Sequence, residues 1–120
     1  MFRTLLPYEL AALLFAACHL ASGADAADIR RFEFGVTNGK LTAGERTVRV
    51  TRGESVELAW TSSEAAVIHL HGYDLEAAPA PGAPQVMRFV ARATGRFPVE
   101  IHGPSGRHMT LIYLEVHPSK

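Results

Sequence analysis

Hydrophobic and polar residues alternate along most of the chain after residue 28. Residues 47–52 (TVRVTR) carry both valines on one face, and residues 55–61 (SVELAWT) place Val56, Leu58 and Trp60 on one face. Alternation of period two predicts β-strands that are buried on one side. Trp60 and the other apolar residues of these segments are therefore expected in the core.

Further strand segments are separated by turn and loop residues. They are predicted at residues 31–36, 67–75, 85–93, 97–101 and 108–116. The last of these, HMTLIYLEV, is apolar on both faces and is expected to be a central strand. About seven short strands with regularly spaced turns and no helix are typical of a small antiparallel β-sandwich. The predicted fold class is therefore all-β.

The first residues, MFRTLLPYELAALLFAACHLASGADAA, resemble a secretory signal. Arg3 gives the segment a positive charge near its start, residues 10–17 are apolar, and Ala-Asp-Ala at 24–26 offers a cleavage site. The apolar run is shorter than the roughly 20 residues that span a membrane. We predict a signal peptide at residues 1–26, a β-sandwich domain at residues 27–120, and a periplasmic or secreted location. A buried amphipathic first helix is the alternative.

The single cysteine, Cys18, falls in this N-terminal segment. The preceding Phe-Ala-Ala resembles a loose bacterial lipobox, so lipid anchoring through Cys18 is an alternative to its removal. Cleavage after Ala26 would leave a chain with neither a disulfide nor a thiolate metal ligand.

Charge and motifs exclude several classes of function. The chain has 120 residues with 12 basic and 12 acidic side chains, so nothing favours nucleic acid as a partner. No Ser-His-Asp order, glycine-rich phosphate loop or carboxylate pair stands out, and we therefore predict no enzyme activity.

The order of the segments resembles a cupredoxin domain over residues 30–117. TVRVTRGESVELAWT is followed by a histidine-bearing strand, VIHLHGYD, by a Pro/Gly loop, and by GRFPVEIHGPSGRHMTLIYLEV. The last stretch is similar to the cupredoxin ending, in which a strand leads to cysteine, a loop, histidine and often methionine. The resemblance implies a Greek-key β-sandwich and copper as cofactor.

The cysteine of that ending is missing here. Gly95 and Phe97 match the glycine and aromatic positions, which places Ile101 where cupredoxins have cysteine. A blue-copper site needs cysteine sulfur together with two histidines and a weak axial ligand. The chain is therefore not expected to be a blue-copper electron carrier.

Four histidines and one methionine remain as candidate metal ligands: His69, His71, His102, His108 and Met109. Neutral imidazole suits copper or zinc, and thioether suits Cu(I). Copper is the first candidate and zinc the second. Met109 is equally well explained as core filler, because adjacent strand residues face opposite ways.

His69 and His71 face the same side of the predicted strand, with Cα atoms about 6–7 Å apart. They can share one ion only if the strand bends, which Gly72 permits. His71 and His102 rank above His69 and His108 as ligands. Asp74 and Glu100 are candidates for orienting imidazole N–H groups. The alternative is that each is only an exposed carboxylate on a strand.

Two functions follow from these residues. The first is copper handling or delivery, with a copper-receiving or membrane-complex protein as partner. The alternative is a metal-free interaction module that has lost its metal site.

Overall fold

The computed structural model describes residues 28–103 and 106–120. Within these ranges the chain forms nine β-strands and no helix, and hence no helix that could cross a membrane. The strands are β1 (Ile29–Thr37), β2 (Lys40–Ala43), β3 (Thr47–Thr51), β4 (Ser55–Ser62), β5 (Val67–Leu70), β6 (Leu75–Ala77), β7 (Gln85–Val90), β8 (Gly95–His102) and β9 (His108–His117). The predicted signal peptide, with Cys18, lies outside the described residues.

The strands form two sheets, and the predicted all-β sandwich is confirmed. One sheet has the order β2-β1-β4-β7 and the other the order β3-β9-β8-β5-β6. Both sheets are mixed rather than antiparallel, because β1 pairs with β4 and β3 with β9 in parallel. Between β1 and β4 the chain passes through β3 in the other sheet. β4 can therefore lie next to β1 and run in the same direction as β1.

Two turns raise the strand count above the expected seven. Asn38 and Gly39 have positive φ values of 50° and 75°, which suits a tight hairpin turn and leads directly into β2. The predicted strand at residues 67–75 is interrupted at Gly72, whose φ is +85°. A Cβ atom at Gly72 would lie 2.3 Å from Cδ1 of Phe97. The chain therefore turns back here, and β6 pairs with β5.

The core lies between the two sheets and contains the residues that alternation predicted. Val56, Leu58 and Trp60 are buried, and the Trp60 ring stacks on Phe34 with ring centroids 4.5 Å apart. Three further phenylalanines are partly buried against this core: Phe32, Phe89 and Phe97.

Strand β9 is central, as expected, but it is not apolar on both faces. The β8–β9 register shifts between Val99 and Glu100, so that Leu111 is an extra residue on β9 and both Leu111 and Ile112 are buried. A bulge of this kind turns two consecutive side chains toward one face. It explains the apolar run in the sequence and leaves the outer face of β9 free for polar residues.

Candidate metal centre

The candidate imidazoles and Glu100 lie on the outer face of the five-stranded sheet, away from the core. His69 on β5 is opposite Glu100 on β8, and His102 on β8 is opposite His108 on β9. The residues that alternate with them face inward and are buried: Ile68, Leu70, Val99 and Ile101. Since cross-strand partners share a face, the strand pairing brings these imidazoles and Glu100 together.

Glu100 lies at the centre of this group. Its Oε2 is 3.0 Å from Nε2 of His71, on one side, and 3.6 Å from Nδ1 of His108, on the other. The Glu100 side chain is 23% exposed. Its carboxylate is thus partly screened from water and accepts a hydrogen bond from His71 when Nε2 of that ring carries the proton.

The four imidazoles form a row across β5, β8 and β9. The ring centroids of His71 and His69 are 4.4 Å apart, those of His69 and His102 are 6.2 Å apart, and those of His102 and His108 are 4.2 Å apart.

His102 Nε2 is buried without a hydrogen-bond partner among residues 28–103 and 106–120. A buried polar atom normally has a partner, so this nitrogen is free to bind a ligand.

Glu100, His102 and His108 form the group best placed to hold one ion. One ligand atom from each residue lies within 4.8 Å of the other two. Imidazole nitrogen and carboxylate oxygen are ligands of Zn²⁺ and of other divalent transition metals. The buried Nε2 of His102 and this donor set fit copper or zinc without a thiolate.

His71 and Asp74 are placed by the turn between β5 and β6. The backbone N–H of His71 donates to the carbonyl of Pro98, which continues the pairing with β8 for one residue beyond the strand. Asp74 has a positive φ of 52°, and its fully exposed carboxylate lies 3.5 Å from Nε2 of His69. Asp74 therefore lies beside one of the candidate imidazoles, and its role in orienting that ring stays a prediction.

Met109 lies on the other side of the sheet from the imidazoles. It pairs with the inward-facing Ile101 and is 48% exposed at the end of the sandwich. A cavity of about 380 Å³ there is lined by Met109 together with Lys40 and Arg107. The structure does not bring this thioether to the histidines.

Glu100 has a larger part in the site than its sequence assignment suggested. Its carboxylate lies between imidazoles of two neighbouring strands, where it can itself bind a metal. The sequence signal is the alternation of Glu100 and His102, which puts both on one face of β8. The cross-strand neighbours, however, follow only from the register with β5 and β9.

Comparison with solved structures identifies the fold. A chain in the cryo-EM structure of a heme-copper terminal oxidase dimer superposes with a TM-score of 0.60 at 20% identity, over 78% of this chain and 67% of that one. The periplasmic domain of cytochrome oxidase subunit II (CoxB) of Bradyrhizobium japonicum matches with a TM-score of 0.58 at 12% identity, over 75% and 85%. An apo copper binding protein matches with a TM-score of 0.53 at 14% identity, over 76% and 99%. This chain has a cupredoxin-like fold.

Larger copper enzymes contain a similar domain. The cupredoxin-like chain superposes on the multicopper oxidase mgLAC with a TM-score of 0.56 at 16% identity, covering 78% of this chain but 40% of that one. No protein-family model matches the sequence, and no curated protein is significantly similar to it. The comparisons thus establish the fold, and the chemistry of the site follows from the residues of this chain.

In the described ranges, 28–103 and 106–120, no sulfur ligand lies among the imidazoles of the cupredoxin-like domain. Ile101, at the position that the resemblance assigns to cysteine, is 5% exposed and faces the core. Thiolate is required for a blue-copper centre. The nitrogen and oxygen donors on the outer face are chemically different from such a centre.

Proposed function

We propose that this protein is an exported cupredoxin-like domain that binds copper for handling or delivery and does not act as an enzyme or a blue electron carrier. The observation that carries the proposal is the group of Glu100, His102 and His108, in which the buried Nε2 of His102 has no hydrogen-bond partner among the described residues. Copper is the first candidate and zinc the second, since imidazole binds both.

The exposure of the site supports a delivery role. His108 is exposed, with 58% of its side chain accessible, whereas Glu100 is half-buried. An ion held by these ligands would be anchored on the sheet and still reachable by a ligand from another protein. A copper-receiving protein, or a membrane complex that contains one, is the partner that this chemistry favours.

The proposal that the protein is exported is based on its N-terminal segment. We propose that residues 1–26 are a signal peptide and residues 27–120 the mature domain, in the periplasm or outside the cell, with lipid anchoring at Cys18 as the alternative. The similarity to a domain named as periplasmic supports this location.

Metal titration tests the proposal. The full chain would be titrated with Cu(II), Cu(I) and Zn(II) by isothermal calorimetry, in a Cys18→Ser, His19→Ala background that removes the N-terminal donors. We expect the His102→Ala, His108→Ala variant to lose at least one bound copper equivalent. His117→Ala is the matched control, because His117 lies at the opposite end of β9 beside Glu115. Equal binding by the parent and the site variant, or no binding by either, contradicts the proposal.

A metal-free interaction module is the second candidate. It is favoured by the His71–Glu100 contact of 3.0 Å and the His69–Asp74 contact of 3.5 Å, which satisfy polar atoms without a metal. This function predicts that none of the three ions binds in stoichiometric amount and that the same imidazoles contact a partner protein.

A further inference from the structure

We propose that the outer face of the five-stranded sheet binds two metal ions, one on each side of Glu100. This inference rests on the proposed metal-binding function and deepens it. The first ion would be held by His102, His108 and Glu100, as above. The second would be held by His69 and His71, with Glu100 shared between the two ions and Asp74 as a further oxygen donor.

The second set of donors is assembled around the same carboxylate. Nε2 of His71 lies 3.0 Å from Oε2 of Glu100, and the ring of His69 lies edge-on to that of His71, with centroids 4.4 Å apart. Nε2 of His69 lies 3.5 Å from Oδ1 of Asp74. Each of these two imidazoles thus has a carboxylate beside it, Glu100 for His71 and Asp74 for His69. Among the described residues, only the ligand atoms of Glu100, His102 and His108 already lie within 4.8 Å of one another, so a second ion would draw the other donors together by rotation of their side chains.

The four histidines do not converge on a single ion. The widest gap in the row lies between the rings of His69 and His102, whose centroids are 6.2 Å apart. Nitrogens bound to one ion lie about 2.0–2.1 Å from it. In the described part of the chain, the group with ligand atoms within 4.8 Å contains neither His69 nor His71.

A carboxylate suits the shared position because it has two oxygens and about four acceptor sites. One carboxylate can therefore ligate two ions, and its negative charge reduces the repulsion between them. Glu100 is the carboxylate that lies between the two histidine pairs, with an imidazole of each pair within 3.6 Å of its Oε2. Both sites should depend on it.

Stoichiometry tests the inference. Native mass spectrometry and calorimetry with Zn(II), in the Cys18→Ser, His19→Ala background, should give two bound ions per full chain. The His69→Ala, His71→Ala variant and the His102→Ala, His108→Ala variant should each retain one. His117→Ala should retain two. Glu100→Gln, which keeps the shape and removes the charge, should weaken both sites at least tenfold.

The alternative outcomes separate this inference from the proposed function. One ion in the parent, lost in the His102/His108 variant, would leave metal binding intact and overturn the second site. Two ions retained in either pair variant would overturn the assignment of ligands. No zinc bound by the parent would overturn this inference, and the copper titration described above would decide the proposed function separately. Circular dichroism checks folding, and His→Asn versions of each pair replace any alanine variant that does not fold.

Discussion

At the scale of single residues, Glu100 and Ile101 show how adjacent positions on a strand acquire different roles. Glu100 faces the imidazoles, whereas Ile101 is 5% exposed and packs in the core. The position that the resemblance gives to cysteine is therefore on the inner side of β8. A sulfur placed at this position is expected to face the core and not the histidines.

Ile101→Cys tests this orientation. We expect no intense blue colour when Cu(II) is added, because the new sulfur would face the core. Loss of buried isoleucine methyl and methylene groups should also lower the free energy of unfolding by roughly 1–3 kcal/mol. Visible absorption and urea denaturation, with the unmodified chain as reference, provide the measurements. An intense blue band would show that the sulfur reaches the imidazoles.

At the scale of the elements, the β5–β6 turn places His71 beside Glu100. Gly72 is required there, since its φ is positive and the Phe97 ring fills the space of a side chain. The turn shortens β5 and directs His71 and Asp74 toward the same surface as His69.

Gly72→Ala and Gly53→Ala form a matched pair. Both glycines have positive φ values, of 85° and 98°, but only at Gly72 would a Cβ meet another residue within 4 Å. We expect Gly53→Ala to cost about 1–2 kcal/mol of unfolding free energy from backbone strain. Gly72→Ala should cost a further 1–3 kcal/mol or so from overlap with Phe97.

Urea denaturation measures both losses, and calorimetry with Zn(II) follows the site. Gly72→Ala should weaken metal binding because it displaces His71, whereas Gly53→Ala should not. Equal stability losses and equal affinities for the two variants would show that the Phe97 contact does not determine the turn.

At the scale of the whole molecule, the site connects three neighbouring strands of one sheet. β5, β8 and β9 each supply ligands, and the opposite faces of the same strands build the core. Unfolding separates these strands and so destroys the site. Metal binding and folding are therefore expected to be linked.

Thermal unfolding measures this linkage. A ligand that binds only the folded state at about 100 times its dissociation constant adds about 2.7 kcal/mol to the free energy of unfolding. For a domain of this size that corresponds to a Tm increase of roughly 10–20 °C. We expect this with Zn(II) for the parent chain and a smaller increase for His102→Ala, His108→Ala. An unchanged Tm, or equal increases, would argue against a site built across the strands.

Much of the sandwich could be predicted because strand burial has a local signature. Alternation in TVRVTR and SVELAWT placed Val48, Val56 and Trp60 in the core, where the structure has them. The short strands β2 and β6 were missed, since four and three residues leave little periodic signal. The bulge at Leu111 was also missed, because a shift in register is a property of two strands and not of one.

The candidate site was predictable as a set of residue types but not as an arrangement. The sequence by itself determined which donors exist on this domain: imidazoles and carboxylates, with no cysteine after Cys18. Only the tertiary structure decided which of them meet, because pairing of β5, β8 and β9 joins residues that are far apart in the chain. That pairing placed Glu100 between two histidine pairs and left Met109 on the other side of the sheet.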